Sequence, residues 1–409
     1  MGTKRTSRRR FLGIAGAAVA APFIIPDTVW GANERINLAS VGIGGMGNGD
    51  MGAMLGRTQV VAVCDVDSRH RQKAQERVNG HYKNQDCKAY IDFHEVMERT
   101  DIDAITCSTP DHIHAVVSIA AAKSGKDIYC QKPLSLTIRE AREMVKAVRR
   151  YGRVFQTGSQ QRSEYGGCFR QAAEYVRSGR LGELKTIHIS IGGHSHPCNL
   201  PPQPTPEYMD WDKWLGPAQW RPYHEQLHPY KWRSFKEFSG GGMTDWGAHH
   251  FDIAQWALDM DESGPVEIYP AGTGGYQHLT YKYANGVLMY KDGQGPGVRF
   301  VGTKGRIDVH RGGITSEPAS ILKQPLGPND VHLEKSPGHY ENFVRCVRSR
   351  ERPICDVEVG CRSVTVCHLG NIAYWVGRPI KWDPVKEEIV GDPYANNQVD
   401  RPMRPPYHL

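Results

Sequence analysis

The run Ile36-Asn37-Leu38-Ala39-Ser40-Val41-Gly42-Ile43-Gly44-Gly45-Met46-Gly47 decides how this chain is built. Apolar residues lead into a turn whose glycines fall at 42, 44 and 47, the G-x-G-x-x-G spacing. A strand feeding such a turn, with a helix leaving it, makes a pyrophosphate site. The first glycine permits the tight turn, the second lets backbone approach phosphate, and the third lets helix pack on strand. The helix amides then point at the anion. Glycine-rich turns are common, so context counts. Here a second apolar run, Gln59-Val60-Val61-Ala62-Val63-Cys64, ends in Asp65, about where a ribose-binding carboxylate follows the fingerprint.

Strand and helix patterns alternate from 35 to 158. Apolar runs at 103–108, 127–130 and 154–157 are separated by an Ala-rich helix at 115–122 and a helix opened by Thr137 and Glu140 at capping-box spacing. Such alternation predicts an α/β fold with a doubly wound parallel sheet. Ligands of these sheets sit at the carboxyl ends of the strands. Three strand ends are polar: Asp65, then Thr109-Pro110-Asp111-His112-Ile113-His114, then Gln131-Lys132-Pro133. His112 and His114 also read as simple caps of the next helix.

After 159 the pattern changes. A helix at 165–178 and a strand at 184–192 precede an insert to about 238 that is rich in Pro, Trp and Tyr. It contains Asp210-Trp211-Asp212-Lys213-Trp214 and Tyr230-Lys231-Trp232-Arg233. Exposed aromatics would stack on the apolar faces of a sugar ring; buried ones would pin the loop. Leu279–Tyr283 and Val287–Tyr290 flank Ala284-Asn285-Gly286, a hairpin signal. A second hairpin spans 298–309, and helices are expected at 339–349 and 360–376. The second domain is therefore α+β, with a large, mostly antiparallel open sheet. The predicted organisation is an amino-terminal segment 1–30, a Rossmann domain 31–158, a substrate and oligomerisation domain 159–377, and a wrapping tail 378–409.

With Gly240-Gly241-Gly242-Met243-Thr244-Asp245-Trp246-Gly247-Ala248-His249-His250-Phe251-Asp252, the chain resembles the glucose–fructose oxidoreductase and inositol dehydrogenase (Gfo/Idh/MocA) family. The shared features are the three glycines, Asp65, Thr109-Pro110 with His114, the Lys132-Pro133 turn, and the glycine run followed by D-x-G-x-H-x-x-D. The family usually has Glu before Lys-Pro; this chain has Gln131. A branch that cleaves N-acetylgalactosaminides with bound NAD has a different His-containing segment at 245–249, so the chain is not placed in it.

The resemblance implies an NAD(P)-dependent oxidoreductase acting on sugar or polyol hydroxyls. Lys132 would stand beside the nicotinamide and stabilise alkoxide charge. Asp245 and His249, four apart, would share a helix face. His249 would be the base and Asp245 would orient it or bind a hydroxyl. The expected cofactor contacts are Gly42, Gly44, Met46, Gly47, Asp65, Thr109, Pro110, His114, Gln131 and Lys132. Gln160, Arg162, Trp232 and His250 are candidate substrate contacts, although His250 reads equally as a buried neighbour of the motif. Asp65 favours NAD, and Arg69 keeps NADP as the alternative. Histidines 188, 194, 196, 249 and 250 lack zinc spacing, so no metal is expected.

Ser7-Arg8-Arg9-Arg10-Phe11-Leu12, followed by a small apolar run to Ile25, resembles a twin-arginine export signal. Export to the periplasm would cut an enzyme off from cytosolic cofactor, so tight nucleotide binding is expected. A redox-neutral glycoside-cleaving or epimerising enzyme, which returns the hydride to its product, is the alternative. A nucleotide-binding protein without catalysis is the third reading. Composition fits a soluble globular protein, with 39% hydrophobic and 23% charged residues. Net charge is +7, part of it in the signal, and no other long basic run suggests nucleic acid. The ten cysteines form no C-x-x-C pair, and folding before export would leave most reduced. The sheet could also join subunits into a homo-oligomer.

Overall fold

The computed structural model describes residues 35–409 except Pro296. The export signal read at 7–25 lies outside them. From Ile36 onward the chain is one compact unit. Ten cysteines are unpaired, nine of them buried.

The first sheet is built from β1 (Asn37–Val41), β2 (Gln59–Cys64), β3 (Lys88–Tyr90), β4 (Ala104–Cys107), β5 (Asp127–Cys130) and β6 (Phe155–Thr157). Their order is β3-β2-β1-β4-β5-β6 and every pairing is parallel. The order reverses between β1 and β4, which opens a crevice at their carboxyl ends. Helix α1 (Gly45–Leu55) leaves the glycine turn. Four of its eleven residues are glycine, each costing ~1 kcal/mol against alanine, so packing holds it together. Met51, Met54 and Leu55 are buried beneath it, as is Asp50. Helix α2 (Ser68–Tyr82) is capped by Asp67. Helix α3 (Phe93–Glu98) precedes β4, and α4 (Asp111–Lys123) follows it. In α5 (Ile138–Arg150) the Thr137–Glu140 capping box is present.

Beyond α6 (Cys168–Arg177), nine strands form the second sheet, with only β7 and β10 parallel. They are β7 (Leu184–Ile189), β8 (Glu267–Tyr269), β9 (Leu279–Lys282), β10 (Leu288–Lys291), β11 (Val298–Gly302), β12 (Gly305–His310), β13 (Gly313–Glu317), β14 (Ile380–Asp383) and β15 (Glu388–Ile389). The turn at 284–286 sets Leu288 opposite Lys282. The tail is more than a wrap: β14 pairs with β8 and with β15, extending the sheet.

The packing runs across the boundary expected at 158. Helix α9 (His339–Ser349) puts Phe343 and Val344 into the same apolar cluster as β1 and α1. Helix α10 (Val357–Val376) lends Val357, Cys361 and Val364 to the cluster under α4 and α5. The tail then brings Met403, Tyr407 and Leu409 back onto that cluster. Helices α7 (Gly242–Asp245) and α8 (Gly247–Ala257) pack against α10, and α8 also lies on β7 and β11.

Candidate active site

The glycine turn is shaped by what crowds it. Gly42 has φ +79°, and a Cβ there would meet Thr109 N at 2.7 Å. At Gly47 a Cβ would lie 1.9 Å from the Gly42 carbonyl oxygen, so α1 can close on β1 only without a side chain. Gly44 faces open space, with its nearest neighbour at 4.0 Å. Asp65 braces the turn: it accepts from Ile43 N at 2.7 Å and Asp67 N at 2.8 Å. Burial raises its carboxyl, and those two amides oppose the rise.

Gly42, Gly44 and Asp65 line one cavity with Met46, Thr109 and Pro110. An open glycine backbone at a helix start, with a carboxylate at the end of β2, fits a dinucleotide. Arg69, which could have met a 2′-phosphate, is spent elsewhere. It clasps Asp67 at 2.7 Å and lies 3.4 Å over the Tyr208 ring.

A second cavity of about 350 Å³ adjoins the first, sharing Met46, Ser108, Thr109, Trp232 and Arg233 with it. Lys132, Gln131, Gln160, Asp245 and His249 line it. Lys132 Nζ donates to Asp245 Oδ1 at 2.7 Å and to the Asp245 carbonyl at 2.9 Å, a contact between residues 113 apart. His249 is buried and its Nδ1 has no hydrogen-bond partner among the described residues. Burial, then the charges of Lys132 and Arg311, hold its imidazole well below the usual range. The pairing expected between Asp245 and His249 is therefore corrected. Asp245 ends α7 and His249 lies in the first turn of α8, and the carboxylate is turned onto the lysine.

Gln131, where the resemblance leads one to expect Glu, has a visible role. Its Nε2 lies 3.0 Å from both oxygens of buried Asp50. Asp50 also accepts from Ser108 Oγ and Tyr340 OH, each at 2.7 Å. Burial raises the Asp50 carboxyl, and these donors oppose it. The carboxylate absent at 131 is thus supplied from α1, and residue 131 must donate.

Four expected contacts stand outside both cavities, Gly47 among them because it packs against the Gly42 carbonyl. His114 is buried, with Nδ1 2.9 Å from the Pro133 carbonyl and Nε2 2.8 Å from the Thr109 carbonyl, so it ties the two polar turns together. Arg162 is buried against Asp252 at 2.8 Å and Asp261 at 2.7 Å. His250 gives its Nδ1 to the Ser190 carbonyl at 3.0 Å, and burial lowers it to about 4. Trp232 does line the site. Trp211 and Trp214, by contrast, are buried, their rings stacked at 4.5 Å in the insert's own core rather than facing a sugar. The exposed aromatics at the second cavity are Tyr165 and Trp246.

Sequence reading passed over three lining groups. Asp111 is buried, accepts from Ser239 Oγ at 2.6 Å, and is pushed up by burial to about 7. Arg233 and Arg311 also face the cavity. Two clusters could approach metal-ligand geometry, their donor atoms within 4.8 Å: Cys107, His114 and Cys130, and Asp67, His70 and His228. His114 is already committed to two carbonyls, and Asp67 to Arg69.

Residues 36–159 match the profile described as "Oxidoreductase family, NAD-binding Rossmann fold", and residues 192–409 match "Oxidoreductase family, C-terminal alpha/beta domain". Among curated relatives, an inositol 2-dehydrogenase of Salmonella paratyphi B is 27% identical over 171 residues, 41% of this chain and 48% of that protein. The chain thus spans about half the length of that relative. A glycosyl hydrolase family 109 protein of Stenotrophomonas maltophilia is 26% identical, over 85% of this chain and 80% of its own. The solved WlbA dehydrogenase of Bordetella pertussis, in complex with NADH and UDP-GlcNAcA, shares the fold with a TM-score of 0.60. That likeness covers 85% of this chain and 99% of WlbA at 18% identity. The chain belongs to the Gfo/Idh/MocA oxidoreductase family.

Proposed function

We propose that this protein is an exported oxidoreductase that moves a hydride between a sugar or polyol carbon bearing a hydroxyl and a tightly held NAD. The observation that carries the reading is the convergence of Lys132, Asp245 and His249 in a cavity joined to the dinucleotide cleft. NAD, when bound across the glycine turn, supplies the hydride acceptor. The protein's share is proton and charge control. His249, neutral near pH 7, accepts the hydroxyl proton. Lys132 faces the same oxygen and offsets the alkoxide charge. Asp245 holds the lysine in place. The commitment of Arg69 to Asp67 and Tyr208 supports NAD over NADP. The segment at 7–25 supports export, and the outward face of the second sheet supports a homo-oligomer. No helix among the described residues is long and apolar enough to cross a membrane.

A redox-neutral variant of this chemistry is the second reading, and Asp111 favours it. A carboxyl raised to about 7 beside the cavity is a second proton carrier, which bond cleavage or epimerisation next to a transient ketone requires. The hydrolase-named relative is consistent with it. One assay separates the two. Nucleotide released on denaturation is identified, and myo-inositol, aldoses and glycosides are offered while reduced nicotinamide and products are followed. Net reduction supports the first reading, product without reduction the second, and neither with any sugar sinks both.

A further inference from the structure

The charges around the second cavity do not balance. Lys132 and Asp245 neutralise one another, and Asp111, whose carboxyl burial pushes up to about 7, sets at most one partial negative charge against the two arginines that remain. Arg233 and Arg311 line the same space, and neither has a carboxylate partner among the described residues. Elsewhere the arginines near the two domains' cores are clasped by acids: Arg142 by Glu358 and Glu387, Arg162 by Asp252 and Asp261, Arg362 by Glu358. Arg233 lies 4.3 Å over the Trp232 ring and lines both cavities, so a bound dinucleotide accounts for it. Arg311 lines only the cavity of Lys132.

Arg311 follows β12 and is held in place without being neutralised. Its guanidinium lies 4.9 Å from the Tyr165 ring centre and 4.7 Å from that of Trp246. Its Nε donates to Gln161 Oε1 at 3.3 Å. Those contacts fix the planar group and leave the edge formed by both terminal nitrogens free. That edge is the one that binds an oxyanion through two parallel hydrogen bonds. Tyr165 and Trp246 are exposed at the same mouth and offer apolar faces to a sugar ring.

We propose that the substrate is an anionic carbohydrate, a sugar acid or a sugar phosphate, whose oxyanion is bound by Arg311 while a ring hydroxyl meets Lys132 and His249. This rests on the function proposed above and narrows it. The test uses the full chain loaded with NAD and measures binding of D-glucose, D-glucuronate, D-gluconate and glucose 6-phosphate by calorimetry. Reduced nicotinamide is followed in parallel, with myo-inositol as a neutral comparison. At least one anionic sugar is expected to bind about tenfold or more tightly than glucose, a preference that weakens with added salt. Glucuronate and gluconate against glucose 6-phosphate tells carboxylate from phosphate. In Arg311→Gln the anion-to-neutral ratio falls toward one, and Arg311→Lys recovers part of it. Dinucleotide affinity and melting temperature identify a variant that has lost its fold; Arg311→Lys then carries the test. Equal binding of neutral and anionic sugars, or a ratio unmoved in Arg311→Gln, overturns the proposal. Turnover of neutral sugars alone overturns it while leaving the oxidoreductase reading intact.

Discussion

Replacing Gln131 by Glu, the residue the family resemblance leads one to expect, tests the polar core beneath the active site. In the native chain Gln131 Nε2 sits 3.0 Å from both Asp50 oxygens. An oxygen in its place puts two carboxyl groups in contact in a buried site. Like charges at ~3 Å cannot both ionise, so one proton must stay on the pair. Asp50 keeps Ser108 and Tyr340 as donors, which favour its charged form, so the new residue holds the proton. A free Glu loses it near pH ~4.3, so retaining it at about pH 7 costs ~1.4 kcal/mol times ~2.7 units, or ~3.7 kcal/mol. The sign follows: a folded pKa raised above the unfolded value gives stability that is lost as pH rises. Relative to the native protein, Gln131→Glu should therefore weaken by ~1.4 kcal/mol per pH unit from about pH 4.3 upward, until the pair gives up its proton. Urea midpoints followed by tryptophan fluorescence at several pH values read this difference. Adding Asp50→Asn should restore a donor and flatten the trend. If Gln131→Glu tracks the native protein from about pH 6 to pH 8, or Asp50→Asn fails to rescue it, the account of this core is wrong.

Three other outcomes are expected. Lys132→Met should cut turnover by ~10²-fold or more while dinucleotide affinity, measured by fluorescence titration, changes far less, because the lysine faces the second cavity and Asp245. Arg162→Met should lower stability by ~3–5 kcal/mol by stranding Asp252; it is read as a fall in melting temperature, and an altered KM at unchanged stability would restore Arg162 as a substrate contact. Burial holds His112 and His339 down to about 3 and His250 and His368 to about 4. Below the ordinary imidazole range the unfolded chain then binds protons that the folded one refuses. Stability should fall by ~1.4 kcal/mol per pH unit per histidine between about pH 6.5 and pH 4, and urea midpoints unchanged across that range would refute it.

What could be read from the chain was local. The glycine turn is legible because its main demands lie in its own backbone, the φ of +79° at Gly42 and the Gly42 carbonyl against Gly47, although Thr109 also crowds Gly42 from across the sheet. The hairpin at 284–286 and the capping box at 137–140 are likewise complete within a few residues. Asp245 and His249 were paired because four residues suit one helix face, but the helix is interrupted at Trp246. The acid's real partner is 113 residues away. Asp111 stood inside a stretch already singled out, yet its raised acidity comes from burial and its hydrogen bond from Ser239, 128 residues on. Trp211 and Trp214 illustrate the same limit: composition reports an aromatic insert, and only packing decides which rings face solvent. Short β3 and α3 and the late strands β14 and β15 have too few residues to display a period.

The insert acquires a purpose once its anchors are considered together. It docks on the end of β2 through Ser68 N to the Tyr208 carbonyl, Asp210 N to the Val66 carbonyl, and His228 to Asp67 at 3.1 Å. The tail locks it from the other side, where Arg404 Nε donates to the Gly216 carbonyl and Tyr407 reaches the cleft. Tyr230 of the insert and Tyr407 of the tail thus roof the same cavity that the glycine turn floors. A ligand beneath two such segments leaves only when one of them lifts, so the insert and the tail together gate its release. Gated release suits the export proposed above, where a lost nucleotide would not be replaced from a cytosolic pool. The roof and the carboxylate of Asp65 therefore favour one behaviour: a nucleotide that stays with its protein.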